Sequence, residues 1–236
     1  MISEAELWPP FDLQLATPRL LLRPVRDEDL PAMVQAALSG IHPVDAMPFS
    51  FPWTQAPAHE LPANTARHVW RTRAEMTKEQ WSIQLGIWHA GEFIGCQDLG
   101  ANNFQTLHTV TTGSWLRQSA QGHGFGKEMR TAVLSYAFDW LGAQVAETEA
   151  AVWNSASLGV SRSLGYTQNG VFRHSWEPGK VTEVQQLRLT PTDFLRPDWT
   201  VAVTGSDATA AHLGIVPVRS AGHSASHRTK SEQPLS

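Results

Sequence analysis

Three alternating glycines, Gly122, Gly124 and Gly126, stand between a strand-like run ending at Trp115-Leu116 and a stretch where Met129, Ala132, Val133, Tyr136, Ala137 and Trp140 recur at helical spacing. A strand, a glycine loop and a long amphipathic helix in direct succession call for a mixed α/β arrangement. Such a loop turns several backbone N–H groups toward one point at the helix N-terminus. Together with the helix dipole they bind phosphate without many cationic side chains. Glycine is needed there because a Cβ blocks close approach and unusual dihedrals.

Two common phosphate loops do not fit. A Walker loop needs four residues before its Gly-Lys pair and then Ser or Thr, whereas three separate Gly122 from Gly126 and Glu128 follows Lys127. A dinucleotide fingerprint needs G-x-G-x-x-G, and the spacing here is G-x-G-x-G.

The rest of the chain gives strands at Leu20–Val25, 82–88, 92–99 (a hairpin across Ala90-Gly91), Leu107–Leu116, 145–153, 169–175 and 181–189, with Thr200–Val203 as a further candidate. Helices are expected over Leu30–Leu38, from a cap at Asn64 to Met76, after Gly126, and over Ser155–Leu164. Residues 41–62 contain five prolines and read as a long irregular loop. Three regions follow: a domain over 1–198, an extension over 199–216, and a Ser/His-rich tail over 217–236 that is expected to be disordered.

Gln121-x-x-Gly124-x-Gly126, ending a strand and opening a helix, resembles the pyrophosphate signature of the GNAT acyltransferase superfamily. Asn154-Ser155-Ala156-Ser157 and Arg162-Ser163-Leu164-Gly165-Tyr166 resemble the family's asparagine-to-helix block. Thr17-Pro18-Arg19-Leu20-x-Leu22-Arg23-Pro24 resembles the first strand of the branch that acetylates ribosomal-protein N-termini. The likeness spans residues 15–190. It implies an α+β GNAT fold, a central twisted mixed sheet of about seven strands flanked by about four helices.

It further implies an N-acyltransferase that moves an acetyl group from acetyl-CoA to a primary amine by direct attack. Coenzyme contacts carry over to the backbone of Leu116, Arg117 and Gln118, to Gln121, Gly122, His123, Gly124, Phe125, Gly126 and Lys127, and to Asn154 and Ser157. Ser157 is the expected proton donor to the leaving thiolate. Asp45 and Glu149 are candidates for the base, weighed against a turn-capping role and a solvent-facing strand position. His123 departs from the family, where most relatives carry arginine. The segment Met47-Pro48-Phe49-Ser50-Phe51-Pro52-Trp53-Thr54 resembles a subgroup that includes bacterial enzymes accepting succinyl-CoA. There Met47, Phe49 and Trp53 either wall a substrate pocket or pack down on the sheet. The acceptor is a protein N-terminus, a lysine or a small amine, and a homodimer is expected from relatives that pair through sheet edges. A non-catalytic acyl-CoA sensor or interaction module is the alternative.

Composition excludes several other classes. A net charge of −4 offers no basic field for nucleic acid. No apolar run reaches membrane length and no leader pattern opens the chain, so a cytoplasmic location is expected. The single cysteine, Cys96, reads as a core residue, and the ten histidines form no metal-ligand pattern.

Overall fold

The computed structural model describes residues 1–43, 46–49, 51–177 and 179–218. In chain order the elements are α1 (Glu4–Leu7), β1 (Gln14–Ala16), β2 (Leu20–Pro24), α2 (Leu30–Leu38), α3 (Leu61–Ala74), β3 (Gln80–His89), β4 (Glu92–Asn102), α4 (Phe104–Leu107), β5 (Thr109–Leu116), α5 (Phe125–Asp139), β6 (Val145–Ala151), α6 (Ser155–Ser163), β7 (Thr167–Glu177), β8 (Lys180–Leu189), β9 (Ala202–Thr204) and α7 (Ser206–His212). The strands form one sheet in the order β7-β8-β6-β5-β4-β3-β2-β1-β9. Only β5 and β6 run parallel; the other neighbours are antiparallel.

The mixed α/β class is as expected, but among the described residues there are nine strands rather than seven and seven α-helices rather than four. The extra elements are short. β1 is a three-residue strand whose alternation is too brief to see in sequence; it gains its place by pairing with both β2 and β9. α1 and α4 are single turns, and α7 seats against the turn at Pro9–Asp12. The helix expected to be capped at Asn64 begins at Leu61, because Pro62 is tolerated in a first helical turn and leaves Asn64 inside. The Ala90-Gly91 hairpin forms with both residues at positive φ, 49° and 83°.

α5 is not the surface amphipathic helix its spacing suggests. It is buried without a break from Glu128 to Phe138. The sheet covers one side and the chain after β8 wraps the other: Phe194 packs at a tilt on Phe138, ring centres 5.6 Å apart, and Arg196 grips Asp139 through two bonds of 2.8 Å. The sequence is consistent with this, since the run from Thr131 to Phe138 carries no charge. A helix clamped on both sides holds its N-terminus, and the glycine loop before it, at a fixed height above the sheet.

The end of β5 is fixed just as firmly. A Cβ on Gly95 would overlap the Trp115 carbonyl and lie 2.9 Å from Leu116 Cα, so only glycine lets β4 approach β5 this closely. Gly95→Ala is expected to cost about 3 kcal/mol and lower the melting temperature by roughly 6–10 °C. A wild-type melting curve would mean that this approach is not tight.

Candidate functional site

The parallel pairing of β5 with β6 covers only Thr109↔Val145 to Thr111↔Glu147. Beyond it the Thr148 hydroxyl still donates to the Thr112 carbonyl at 2.9 Å, and then the strands part. On its other side β5 stays paired with β4 to its end, where the Arg117 N–H donates to Ile94 O at 2.9 Å. Antiparallel alternation therefore turns the N–H groups of Leu116 and Ser114 away from β4, into the opening. A cleft of about 1000 Å³ fills this opening. It is bounded by the glycine loop, β6, the start of α6, and the segment around Pro48-Phe49.

The loop is held from beneath, and its amides are left open. Gln121 Nε2 donates to Leu116 O (2.8 Å) and Ile41 O (2.6 Å), tying the end of β5 to the turn after α2. Gly122 and Gly124 have φ of 78° and 81°, a backbone that side chains rarely adopt. Among the described residues, no backbone N–H from Gly122 to Lys127 has a protein acceptor; the first engaged one is that of Glu128, on Gly124 O at 3.1 Å. The Glu128 side chain turns inward. Its carboxylate accepts from the Thr17 hydroxyl (2.6 Å), the Arg19 N–H (3.0 Å) and the Arg19 guanidinium (2.6 Å). Arg19 also donates to His123 O at 3.0 Å and lies 4.6 Å over the Phe125 ring. His123 is exposed, while Phe125 is buried between Arg19 and His89. Open amides on a braced turn at a helix N-terminus are suited to an anion, and Lys127 lines the cleft beside them.

The other expected residues are placed as follows. Of the three expected to offer backbone to a pantetheine arm, only Leu116 has its N–H free for it. The Arg117 N–H is spent on Ile94, and that of Gln118 on Gly40 O at 2.8 Å. Asn154 caps α6, its Oδ1 accepting from the Ser157 N–H at 3.1 Å. Ser157 is half-buried on the cleft wall. Its hydroxyl has no hydrogen-bond partner among the described residues. Glu149 is exposed at the cleft edge, with Glu147 one alternation earlier and partly buried. Asp45 lies outside the described residues. The aromatic loop divides: Phe49 lines the cleft, whereas Trp53 packs on Trp115 at 5.7 Å and Met47 is buried.

Two further polar side chains that the sequence pattern did not single out also face this space, Arg130 buried and Asp98 half-buried. Arg130 sits within the apolar stripe of α5 and donates to Ser161 Oγ (2.9 Å) and Ser114 Oγ (3.0 Å). It forms no ion pair with a carboxylate among the described residues. Burial pulls its pKa down, and nearby Tyr166 opposes this; burial pushes the Tyr166 phenol up in turn. The second is Asp98, on β4. Each had a sequence signal, a charge interrupting a run that otherwise reads as core. Cys96 is buried, its thiol pushed well up by burial and then by Asp98 and Asp29. Among the described residues no group of His, Cys, Asp and Glu could hold a metal, and no helix is long and apolar enough to cross a membrane.

Residues 19–167 match the family described as acetyltransferase (GNAT) domain. Solved structures of similar fold include Mycobacterium smegmatis RimJ in complex with CoA-disulfide, at 19% identity and TM-score 0.64, covering 86% of this chain and 95% of that one. RimL, a ribosomal L7/L12 α-N-protein acetyltransferase in complex with coenzyme A, is 17% identical with TM-score 0.59, covering 74% and 95%. An acetyltransferase of the GNAT family from Bacillus anthracis is 14% identical with TM-score 0.60, covering 75% and 98%. At these identities the likeness is one of fold.

The Glu128 clamp is testable alone. Glu128→Gln keeps the size but leaves a guanidinium and an N–H with a poorer partner, and is expected to cost about 2 kcal/mol. Amide exchange at Gly122–Phe125 should quicken with it. Unchanged melting and exchange would show that the clamp does not hold the loop.

Proposed function

The chain belongs to the GNAT acetyltransferase family and has its α+β fold, and from that premise we propose that it moves an acetyl group from acetyl-CoA to a primary amine by direct attack. The observation that carries this reading is the run of unengaged amides from Gly122 to Lys127 at the head of α5, opening on a cleft between parted parallel strands. The amides and Lys127 hold the diphosphate. The Leu116 N–H, with that of Ser114 beyond it, offers the strand-like hydrogen bonds that an extended pantetheine arm needs.

The chemistry then follows from position. A thioester lying along β5 presents its carbonyl to those inward N–H groups, which are fixed before the reaction and strengthen as negative charge grows on the oxygen. Ser157, with its hydroxyl on the cleft wall and its backbone held by the Asn154 cap, supplies a proton to the departing sulfur. No enzyme nucleophile is required. The protein contributes alignment, charge stabilisation and proton handling. The acceptor enters past Phe49 and Glu149, which offers an aromatic wall and negative charge to a cationic amine.

One observation favours a second donor, with an acyl chain ending in a carboxylate, as in succinyl-CoA. The Arg130 guanidinium is buried with two hydroxyls for company, and a buried cation gains from an anion. It reaches β5 at Ser114, two residues or about 7 Å back from the loop end, beside the acyl group rather than the diphosphate.

Calorimetry separates these readings. Wild-type protein is expected to bind acetyl-CoA, and Gly124→Val to weaken it at least about tenfold while leaving binding of pantetheine, which lacks the diphosphate, unchanged. Equal affinity in both proteins would remove the loop from coenzyme recognition. If Arg130 reads the acyl end, Arg130→Met lowers affinity for succinyl-CoA relative to acetyl-CoA by about tenfold or more; an unchanged ratio leaves acetyl-CoA as the donor.

A further inference from the structure

Asp98 is a half-buried carboxyl in the middle of β4 that lines the cleft. It stands opposite Gly113 of β5 on one side and Gln84 of β3 on the other. Its side chain shares a face with Cys96, two residues before it, which packs among Val25, Met33, Ala36 and Val69. That is the face covered by α2 and α3, away from α5. Gly113 places no side chain beside the carboxyl; a Cβ there would lie 3.8 Å from Oδ2, in ordinary contact. The residue keeps some surface toward the cleft, which it lines together with Ser82 and Gly113. Oδ1, by contrast, has no accessible surface and no hydrogen-bond partner among the described residues.

The side of the carboxyl that does face the cleft also has no hydrogen-bond partner among the described residues, and it suits an occupant that donates. The structure assigns Asp98, on the acyl-transfer reading above, the role of accepting the proton from the incoming ammonium, directly or through one water. Over the reaction the nitrogen loses two protons. The first passes to the Asp98 carboxylate and on to solvent through the cleft, leaving a lone pair that forms the C–N bond to the thioester carbon. The second leaves the nitrogen as the C–S bond breaks, and the departing sulfur gains one. Gly113 is three residues back from Leu116, so Asp98 flanks the stretch of β5 beside which the thioester lies.

Its surroundings suit the task. Burial pushes the Asp98 carboxyl up to about 7, where a base both ionises at neutral pH and holds a proton usefully. The ionisable groups around it are few. Cys96 shares its face, with Asp29 beyond and ion-paired to Arg23. Glu147 and Glu149 line the same cleft from β6, His42 from the segment after α2, and Lys127 and Arg130 from α5. α2 presents Met33, Ala36 and Ala37 inward and α3 presents Leu61, Thr65 and Val69, none of them charged. β3 contributes Ser82 and Gln84, and β5 contributes Thr111, Gly113 and Trp115. Glu149 is exposed at the rim.

The test uses the full chain, acetyl-CoA, and a panel of primary amines: peptides with free N-termini, lysine peptides and aminoglycosides. With an amine that wild type acylates, turnover should fall as pH drops through about 7. Asp98→Asn should lose at least about a hundredfold in kcat and the acid limb of the profile, with acetyl-CoA affinity unchanged. Activity within threefold of wild type, or a retained acid limb, overturns the assignment. Two readouts need no acceptor. Carbon-13 NMR of the wild-type carboxyl should show titration near 7, and a midpoint below 5 overturns the assignment even if no amine is acylated, an outcome that would by itself count against acyl transfer. The upward shift also means that ionising Asp98 costs folding stability, so wild type weakens as pH rises from the ordinary carboxylate range to about 7 and no further above it. The melting temperature of Asp98→Asn relative to wild type should therefore climb from pH 5 to about pH 7 and then level off; a constant difference over that interval counts against the assignment.

Discussion

The glycine loop depends on a carboxylate that points away from the cleft. Glu128, in the first turn of α5, is turned inward and saturated by Thr17 and Arg19 from the N-terminal hairpin. An acidic side chain in a first turn ordinarily favours the helix by its charge near the positive end. Here it also draws residues more than a hundred positions distant under the glycine loop. Arg19 then reaches the loop itself, through the His123 carbonyl and the Phe125 ring. With the His123 carbonyl and the Phe125 ring held from below, the loop amides are left without protein acceptors among the described residues. An anion site made of backbone needs such bracing, because a loop free to relax would spend its N–H groups on itself.

Around this anchor the cleft has a simple layout. The loop amides stand at one end, the inward N–H groups of Leu116 and Ser114 along the wall, and the uncommitted hydroxyl of Ser157 opposite. Arg130 and Asp98 lie on opposite faces of the sheet at the same stretch of β5, one reaching Ser114 from the α5 side, the other beside Gly113 under α2 and α3. The parted strands let side chains from both layers address one point. The double wrapping of α5 and the tight approach of β4 at Gly95 keep that point still.

Much of this was legible in the sequence, for physical reasons that can be named. Glycine spacing and helical periodicity locate the loop, because both are local properties of a few adjacent residues. The hairpin at Ala90-Gly91 and the α6 cap at Asn154 are local in the same sense. What escaped depends on distant partners. β1 is too short to form except between β2 and β9, and α5 loses its solvent face because the chain returns over it after β8. Asp98 and Arg130 look like interruptions of a core until the splay of β5 and β6 opens space at their tips. Arg117 and Gln118 could be assigned to ligand binding only while the claims of Ile94 and Gly40 on their amides were unseen.

The amides themselves give the most direct measurement. In nitrogen-15 spectra of the protein titrated with coenzyme A, the resonances of Gly122 to Lys127 should move farthest and become protected from exchange. Pantetheine, with no diphosphate, should leave them in place while still shifting Leu116. If coenzyme A binds and these six amides do not respond, the diphosphate lies elsewhere and the account of the loop is wrong.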